Sequence, residues 1–306
     1  MLKDFLAIND FTKDELLQIF KLASDLKAKT KAGIAHPLLA GKTLAMIFQK
    51  PSARTRVSFE TGMVQLGGHA IYLAPTDIGL GKRETPADVA RVLSRYNDGI
   101  MARLFGHDLI VELAEYATVP VINGLTDFNH PCQVMADMMT IQEHLGRMED
   151  FKIAYVGDGN NMVHSWLNAA SRFSFDLTIV CPDGYDPDEA VVESTQKEGI
   201  SNIQIVRDPM EGVKGADIIY TDVWASMGQE AEAEKRKKDF AGFEVNAAMV
   251  DATGQKTYVM HCLPAHRGEE ISHEVMEAPY SIVFDEAENR LHIQKAILAC
   301  FMNPGC

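Results

Sequence analysis

The sequence predicts an α/β protein of two doubly wound parallel-sheet domains, with a C-terminal helix returning to the first domain. Short apolar runs of strand length alternate with amphipathic stretches of helix length, which is the pattern of helices packed on both faces of a parallel sheet. The rhythm restarts after Gly146. A length of 306 residues is ample for two hydrophobic cores. The expected first domain is 1–145, joined by the closing helix 286–306, and the second is 146–285.

The elements follow in order. Thr12 and Glu15 form a capping box ahead of Leu16, Ile19, Phe20, Ala23 and Leu26, an apolar stripe at helical spacing. Strands are expected at 43–48, 69–73, 99–103 and 119–122, and helices near 54–66, 86–96, 108–117 and 131–145. Thr85-Pro86 and His130-Pro131 read as helix starts, because proline at the first helical position gives up an N–H that has no intrahelical partner. In the second half, strands are expected at 152–157, 177–181, 203–206, 217–221, 257–261 and 281–284, with Glu286 to Phe301 as the last helix.

Composition excludes several function classes. Hydrophobic content of 46% and charged content of 24% are those of a soluble globular protein. A net charge of −14 with no basic run argues against nucleic acid or a membrane surface as partner. The apolar stretches are too short for a transmembrane helix, and acids interrupt the N-terminal apolar residues, unlike a signal peptide. Five cysteines, at 132, 181, 262, 300 and 306, make an odd set with no CxxC pair, so a reducing cytoplasm is expected.

The stretch Phe48 to Arg56, Phe-Gln-Lys-Pro-Ser-Ala-Arg-Thr-Arg, carries the most chemistry. An apolar strand breaks at Pro51 into a helix start, which offers free backbone N–H groups and the positive end of a helix dipole. Ser52, Arg54, Thr55 and Arg56 add hydroxyls and cations, a set suited to a compact anion such as phosphate. The competing reading is an ordinary cap with solvated arginines. That reading is weakened by the absence of acids, which helix starts favour. Arg103 closes a strand, and His130-Pro-Cys-Gln133 opens a helix, so both fall where a ligand of a parallel sheet is expected.

Three clusters mark the second half. Gly157-Asp-Gly-Asn-Asn161 follows a strand and opens a helix, half of a dinucleotide fingerprint, with Met162 where a third glycine would stand and Asp183 as a candidate ribose acid. Asp222-Val-Trp-Ala-Ser-Met-Gly228 places an acid and a hydroxyl just past a strand, fit to read an ammonium group. The charged stretch 229–239 after it reads as a solvated helix. His261-Cys-Leu-Pro-Ala-His266 lacks the spacing and glutamate of a zincin, so no metal site is expected. Arg290 is expected on the first turns of the closing helix, where a cation needs an anion nearby.

Taken together, these residues resemble the ornithine carbamoyltransferases of the wider aspartate/ornithine transcarbamylase family. The carriers are Ser-Ala-Arg-Thr-Arg (52–56), Arg103, His130-Pro-Cys-Gln133, Gly-Asn-Asn (159–161), Asp222 to Gly228, His-Cys-Leu-Pro (261–264) and Glu-Asn-Arg (288–290), in order along essentially the whole chain. The resemblance implies transfer of a carbamoyl group from carbamoyl phosphate to the δ-amine of L-ornithine, giving L-citrulline and phosphate. It implies no metal and no organic cofactor, and a homotrimer, or a multiple of it, with sites at subunit boundaries.

By position, the resemblance assigns carbamoyl-phosphate binding to Ser52, Ala53, Arg54, Thr55, Arg103, His130, Gln133, Cys262, Leu263 and Arg290. Among these, Arg54, Arg103, His130 and Cys262 are the candidate catalytic residues. It assigns ornithine binding to Asn161, Asp222, Ser226 and Met227. Two positions depart from the family's pattern. Ala53 stands where a hydroxyl or glycine is usual, and Gly79 stands in a loop, Thr76 to Glu84, where glutamine or histidine is frequent and Lys82 or Arg83 could substitute. The rival readings are a transcarbamylase for another amine such as putrescine or acylated ornithine, an NAD(P)-dependent dehydrogenase, and a non-catalytic binding paralogue.

Overall fold

The computed structural model describes residues 3–225 and 232–303. The chain divides into two compact units, Met1–Ala136 with Asn289–Cys306, and Asp137–Glu288. Each is a parallel sheet with helices.

The first unit is built on four parallel strands, β1 (Thr43–Phe48), β2 (His69–Leu73), β3 (Gly99–Arg103) and β4 (Val121–Leu125), in the spatial order β2-β1-β3-β4. Five consecutive residues of β1, Leu44 to Phe48, are buried, as expected of a strand covered on both faces. Each such aliphatic or aromatic side chain contributes about 1.5–3 kcal/mol on burial. Ala45, Ile47, Ile100 and Ala102 pack with Ile110, Leu113 and Val121 in one apolar cluster. The chain order reverses between β1 and β3, so the carboxyl ends of these two strands form the switch point, where a doubly wound sheet opens a crevice. Phe48 and Arg103 are paired in register there.

The second unit has five parallel strands, β5 (Lys152–Val156), β6 (Asp176–Val180), β7 (Asn202–Val206), β8 (Ile218–Thr221) and β9 (Tyr258–His261), ordered β7-β6-β5-β8-β9. Its switch point lies between β5 and β8. Val156 and Thr221 pair at that end, and Thr221 pairs onward with His261. Trp224, Phe240, Phe243 and Val245 join Ala154, Val156 and Ile219 in the core of this unit.

Several expectations require correction. The strand expected at 281–284 is absent: Ser281 makes an isolated bridge to Val259, and the chain then turns into the helix Val283–Met302. That helix starts three residues earlier than the expected Glu286, which places Arg290 in its third turn. The fourth strand runs Val121–Leu125 rather than 119–122, continuing to a point level with Arg103. The charged stretch at 229–239 is not uniformly solvated. It contains the helix Ala233–Asp239, and Arg236 on it is buried.

Candidate functional site

In the first unit, the residues singled out from the sequence gather at the β1/β3 switch point. Ser52 has extended backbone and caps the helix Ala53–Gln65, its Oγ accepting from the Thr55 N–H at 3.3 Å and donating to Thr55 Oγ1 at 3.2 Å. The first turn of this helix holds no acid. Its free N–H groups and dipole are left unneutralised by the chain itself. Ala53 and Arg54 are exposed, whereas Thr55 is buried.

Arg290 ties three elements of this unit together. Its Nη2 donates to Thr55 Oγ1 at 3.3 Å and its Nη1 donates to Gln133 Oε1. With the Gln294 amide turned as the network requires, Gln294 accepts from Arg290 Nη2 at 3.0 Å and Nε at 3.1 Å. The buried guanidinium is thus engaged by three neutral acceptors within this unit. Arg103, at the end of β3, is 6% exposed and its carbonyl accepts from the Gln49 N–H at 2.9 Å.

His130 is buried immediately before the helix Pro131–Leu145. Burial, and then Arg290, Arg103 and Arg54, push its imidazole well below the usual histidine value. The ring is therefore neutral at pH 7. It offers an N–H donor rather than a fourth cation. Arg56 does not join this group: it pairs with Glu60 at 2.9 Å and lies over the Tyr72 ring at 4.0 Å.

The loop with Gly79 belongs to the same unit. Gly79 ends the helix Pro75–Ile78 at φ +63, a conformation in which a side chain costs roughly 1–2 kcal/mol. Lys82 lines a cavity of about 170 Å³ with Phe48, Gln49, Leu80 and Phe105. Arg83 is engaged within its own loop, donating to the Asp77 carbonyl at 2.7 Å and to Glu84 at 3.1 Å.

In the second unit, a separate group assembles at the β5/β8 switch point. The Asp222 carboxylate, just past β8, receives three donors. Val223 N and Cys262 Sγ donate to Oδ1 at 2.8 and 3.1 Å, and Asn160 Nδ2 donates to Oδ2 at 3.0 Å. Asn160 is fixed in turn by Tyr155, whose hydroxyl donates to Asn160 Oδ1 at 3.2 Å. Burial, then Asp222 and Glu286, push the Cys262 thiol well above its ordinary value, so the sulfur is a protonated donor. Leu263 follows at φ +58, with its N–H donating to His261 Nδ1 at 2.9 Å. Asn161 is the first residue of the helix Asn161–Ala170. Ser226 and Met227 lie outside the described residues.

Asn160 and Glu286 are members of this group that sequence reasoning left out of its site assignments. Asn160 carried a usable signal, since it adjoins Asn161 at a strand-to-helix turn. Glu286 carried none.

The half-fingerprint at Gly157–Asn161 is filled by protein. The Gly159 N–H donates to the Tyr185 carbonyl at 2.9 Å, and a Cβ on Gly159 would meet the backbone of Tyr185, Asp186 and Pro187. The glycine admits a neighbouring chain segment, not a pyrophosphate. Asp183 pairs with Arg207 at 2.9 Å. A dinucleotide has no built seat at this turn.

Asp222, His261 and Cys262 present ligand-type atoms within 4.8 Å of one another, as do His266, Glu269 and Glu270. Several of these atoms already have protein partners. His261 Nδ1 accepts from Leu263 N and its Nε2 meets Glu270 at 3.0 Å. Glu269 pairs with Lys237 at 3.0 Å.

Residues 3–143 match the carbamoyl-P binding domain of aspartate/ornithine carbamoyltransferase, and residues 149–301 match its Asp/Orn binding domain. The chain belongs to the aspartate/ornithine carbamoyltransferase family. It is 58% identical to the chloroplastic ornithine carbamoyltransferase of Pisum sativum over 299 residues, covering 97% of this chain and 80% of that protein. It is 54% identical to the anabolic ornithine carbamoyltransferase of Pyrococcus furiosus over 303 residues, covering 98% of this chain and 96% of that protein. A solved structure of ornithine carbamoyltransferase from Pyrococcus furiosus superposes with a TM-score of 0.94 at 52% identity, covering 99% of this chain and 97% of that one.

Proposed function

We propose that this protein transfers the carbamoyl group of carbamoyl phosphate to the δ-amine of L-ornithine, in the direction of arginine biosynthesis. The observation that carries the substrate assignment is Asp222. A buried carboxylate locked by three donors at a switch point is a ready partner for the α-ammonium of a free amino acid. An acylated ornithine lacks that charge, and putrescine lacks the α-amino-acid group altogether.

In this reading the helix start at Ser52 and Ala53, with Arg54 and Thr55, holds the phosphate, and Arg103, His130, Gln133 and Arg290 hold the carbamoyl end. Cys262 and Leu263 complete the carbamoyl side, while Asn161, Asp222, Ser226 and Met227 bind ornithine. The uncharged δ-amine attacks the carbamoyl carbon, forming a C–N bond and placing negative charge on the carbonyl oxygen. Neutral His130 and the cations Arg103 and Arg290 stabilise that oxygen as donors. The tetrahedral centre collapses by breaking the bond to the phosphate oxygen, which leaves with the electron pair, and the new C–N nitrogen passes its extra proton to the departing phosphate. No covalent enzyme intermediate is needed. Orientation of two bound reactants accounts for about 7–11 kcal/mol of such a barrier at most.

The assembly proposed is a homotrimer or a multiple of it, in which the loop at Gly79 serves a neighbouring copy, with Lys82 rather than Arg83 available there. The proposed location is the cytoplasm; among the described residues no helix is long and apolar enough to cross a membrane. The deciding experiment is a product assay with carbamoyl phosphate and ornithine, putrescine or acetylornithine offered in parallel, without added metal. Citrulline as the dominant product supports the assignment, and preferential use of another amine overturns it. Carbamoyl-phosphate binding without turnover of any amine points instead to a non-catalytic paralogue. Arg54→Ala is expected to lose at least about 3 kcal/mol in kcat/KM for carbamoyl phosphate, the scale of removing a charge-assisted contact to a transferring group.

A further inference from the structure

We propose that Tyr155 is a positioning residue for the ornithine site, acting through Asn160 to hold the Asp222 carboxylate for the substrate's α-ammonium. The proposal rests on the reading of Asp222 as the ornithine-binding acid.

Tyr155 lies one residue from the end of β5 and is fully buried. It pairs in register with Tyr220 on the neighbouring strand β8. The two rings stack, with centroids 5.6 Å apart and planes 15° from parallel. The hydroxyl is therefore carried on a ring fixed by packing. A buried phenol needs an acceptor, and Tyr155 donates to Asn160 Oδ1 at 3.2 Å. Burial, and then the Asp222 charge, hold this phenol well above its ordinary value, so it remains a donor.

The Asn160 amide has one orientation that suits its surroundings. Its Oδ1 accepts from the Tyr155 hydroxyl and from the Met162 N–H, the latter at 2.9 Å. Its Nδ2 donates to Asp222 Oδ2 at 3.0 Å. A flipped amide would set its NH2 against the Met162 N–H and its oxygen against a carboxylate. The Met162 contact is the cap of the helix Asn161–Ala170, whereas the Tyr155 contact comes from the sheet. Two donors from different elements thus fix one amide, and the amide fixes one oxygen of Asp222. The other oxygen, Oδ1, is held separately by Val223 N and Cys262 Sγ.

Loss of the Tyr155 hydroxyl would leave the amide oriented by the helix cap alone. The Oδ2 side of Asp222 should then loosen, and the α-amino-acid end of ornithine should lose affinity. Ser52, Arg54, Thr55 and Arg103 belong to the first unit, so carbamoyl-phosphate use should not follow.

Tyr155→Phe removes the hydroxyl and keeps the ring stack. It is expected to raise the ornithine KM about three- to tenfold, with kcat and the carbamoyl-phosphate KM within about twofold of wild type. L-norvaline has the α-amino-acid group and carbon count of ornithine without the δ-amine, so its binding can be measured beside carbamoyl phosphate without turnover. Its calorimetric dissociation constant should rise by the same factor as the ornithine KM. Asn160→Ser keeps a capping hydroxyl but is too short to join Tyr155 to Asp222, and it is expected to raise the ornithine KM at least about tenfold. Adding Tyr155→Phe to Asn160→Ser should change that KM less than about twofold, because the group through which Tyr155 acts is already gone. Independent, multiplying effects in the double variant would overturn the relay and reduce the hydroxyl to a packing role. Wild-type ornithine KM and norvaline affinity in Tyr155→Phe would overturn the proposal while leaving Asp222 as the ornithine acid. Failure of the wild-type protein to bind norvaline would remove that reading of Asp222, and the proposal with it.

Discussion

Arg236 donates through one nitrogen to both Asp158 Oδ2, at 2.7 Å, and the Trp224 carbonyl, at 2.8 Å. Its Nε reaches Glu232 at 3.1 Å. A buried guanidinium thus ties the chain past β8 and the helix Ala233–Asp239 to the Gly157–Asn161 turn. Asp158 is desolvated as well, and burial raises its carboxyl while Arg236 opposes that shift. Removing one partner leaves a buried charge uncompensated. Arg236→Ala is expected to destabilise the second unit by about 3–5 kcal/mol, read from the urea midpoint. Asp158→Asn combined with Arg236→Met should recover much of the loss. Equal instability in the double variant would show that packing, not charge pairing, is what Arg236 supplies.

The neutral His130 gives stability a pH dependence of definite sign. Its folded-state value is depressed, whereas the unfolded chain titrates near the ordinary 6.5. Below that pH the unfolded state binds a proton that the folded state refuses, so stability falls as pH falls. The contribution is complete above about pH 6.5 and declines by up to about 1.4 kcal/mol per pH unit below it. Urea midpoints at acid and neutral pH should therefore differ more in wild type than in His130→Asn. An identical acid sensitivity in the variant would show that the imidazole is charged in the folded state.

The sequence was most legible where structure is set by neighbours in the chain. Thr12 and Thr85 each cap the helix they were read to start, because a cap is a contact three residues long. The run Ser281 to Phe284 was misread because a β-branched apolar stretch suits a strand. The edge of β9 uses it for a single bridge before the helix begins. Glu286 was read only as the start of the closing helix. Its partner, the His261 N–H, lies 25 residues away, which no local pattern reveals. Arg236 was hidden in the same way among charges on a helix that looked solvated.

Gly159 offers a test of what its turn accommodates. A Cβ there would lie 2.7 Å from the Tyr185 carbonyl oxygen and closer still to Asp186 and Pro187, all backbone that cannot swing aside as a side chain does. Gly159→Ala is therefore expected to cost about 1–3 kcal/mol by overpacking. The shift should reach Asn160 next to it, loosening its hold on Asp222 and raising the ornithine KM. Wild-type thermal stability in this variant would mean that the turn is looser than the geometry implies.

Ala53 is the irregular position of the phosphate loop, and its surroundings say what is missing. The Ser52 hydroxyl is committed to the helix cap, accepting from Thr55 N and donating to Thr55 Oγ1. Thr55 Oγ1 also accepts from Arg290. Ala53, exposed at the first position of the helix, therefore sits where an uncommitted hydroxyl could meet an incoming anion. Ala53→Ser is expected to lower the carbamoyl-phosphate KM about two- to tenfold, the equivalent of one net hydrogen bond of about 0.5–1.5 kcal/mol. The ornithine KM should not change. Ala53→Gly separates this gain from any effect of backbone freedom, because it frees the loop without adding a donor. An unchanged KM in the serine variant would mean that the backbone N–H groups and Arg54 already saturate the anion.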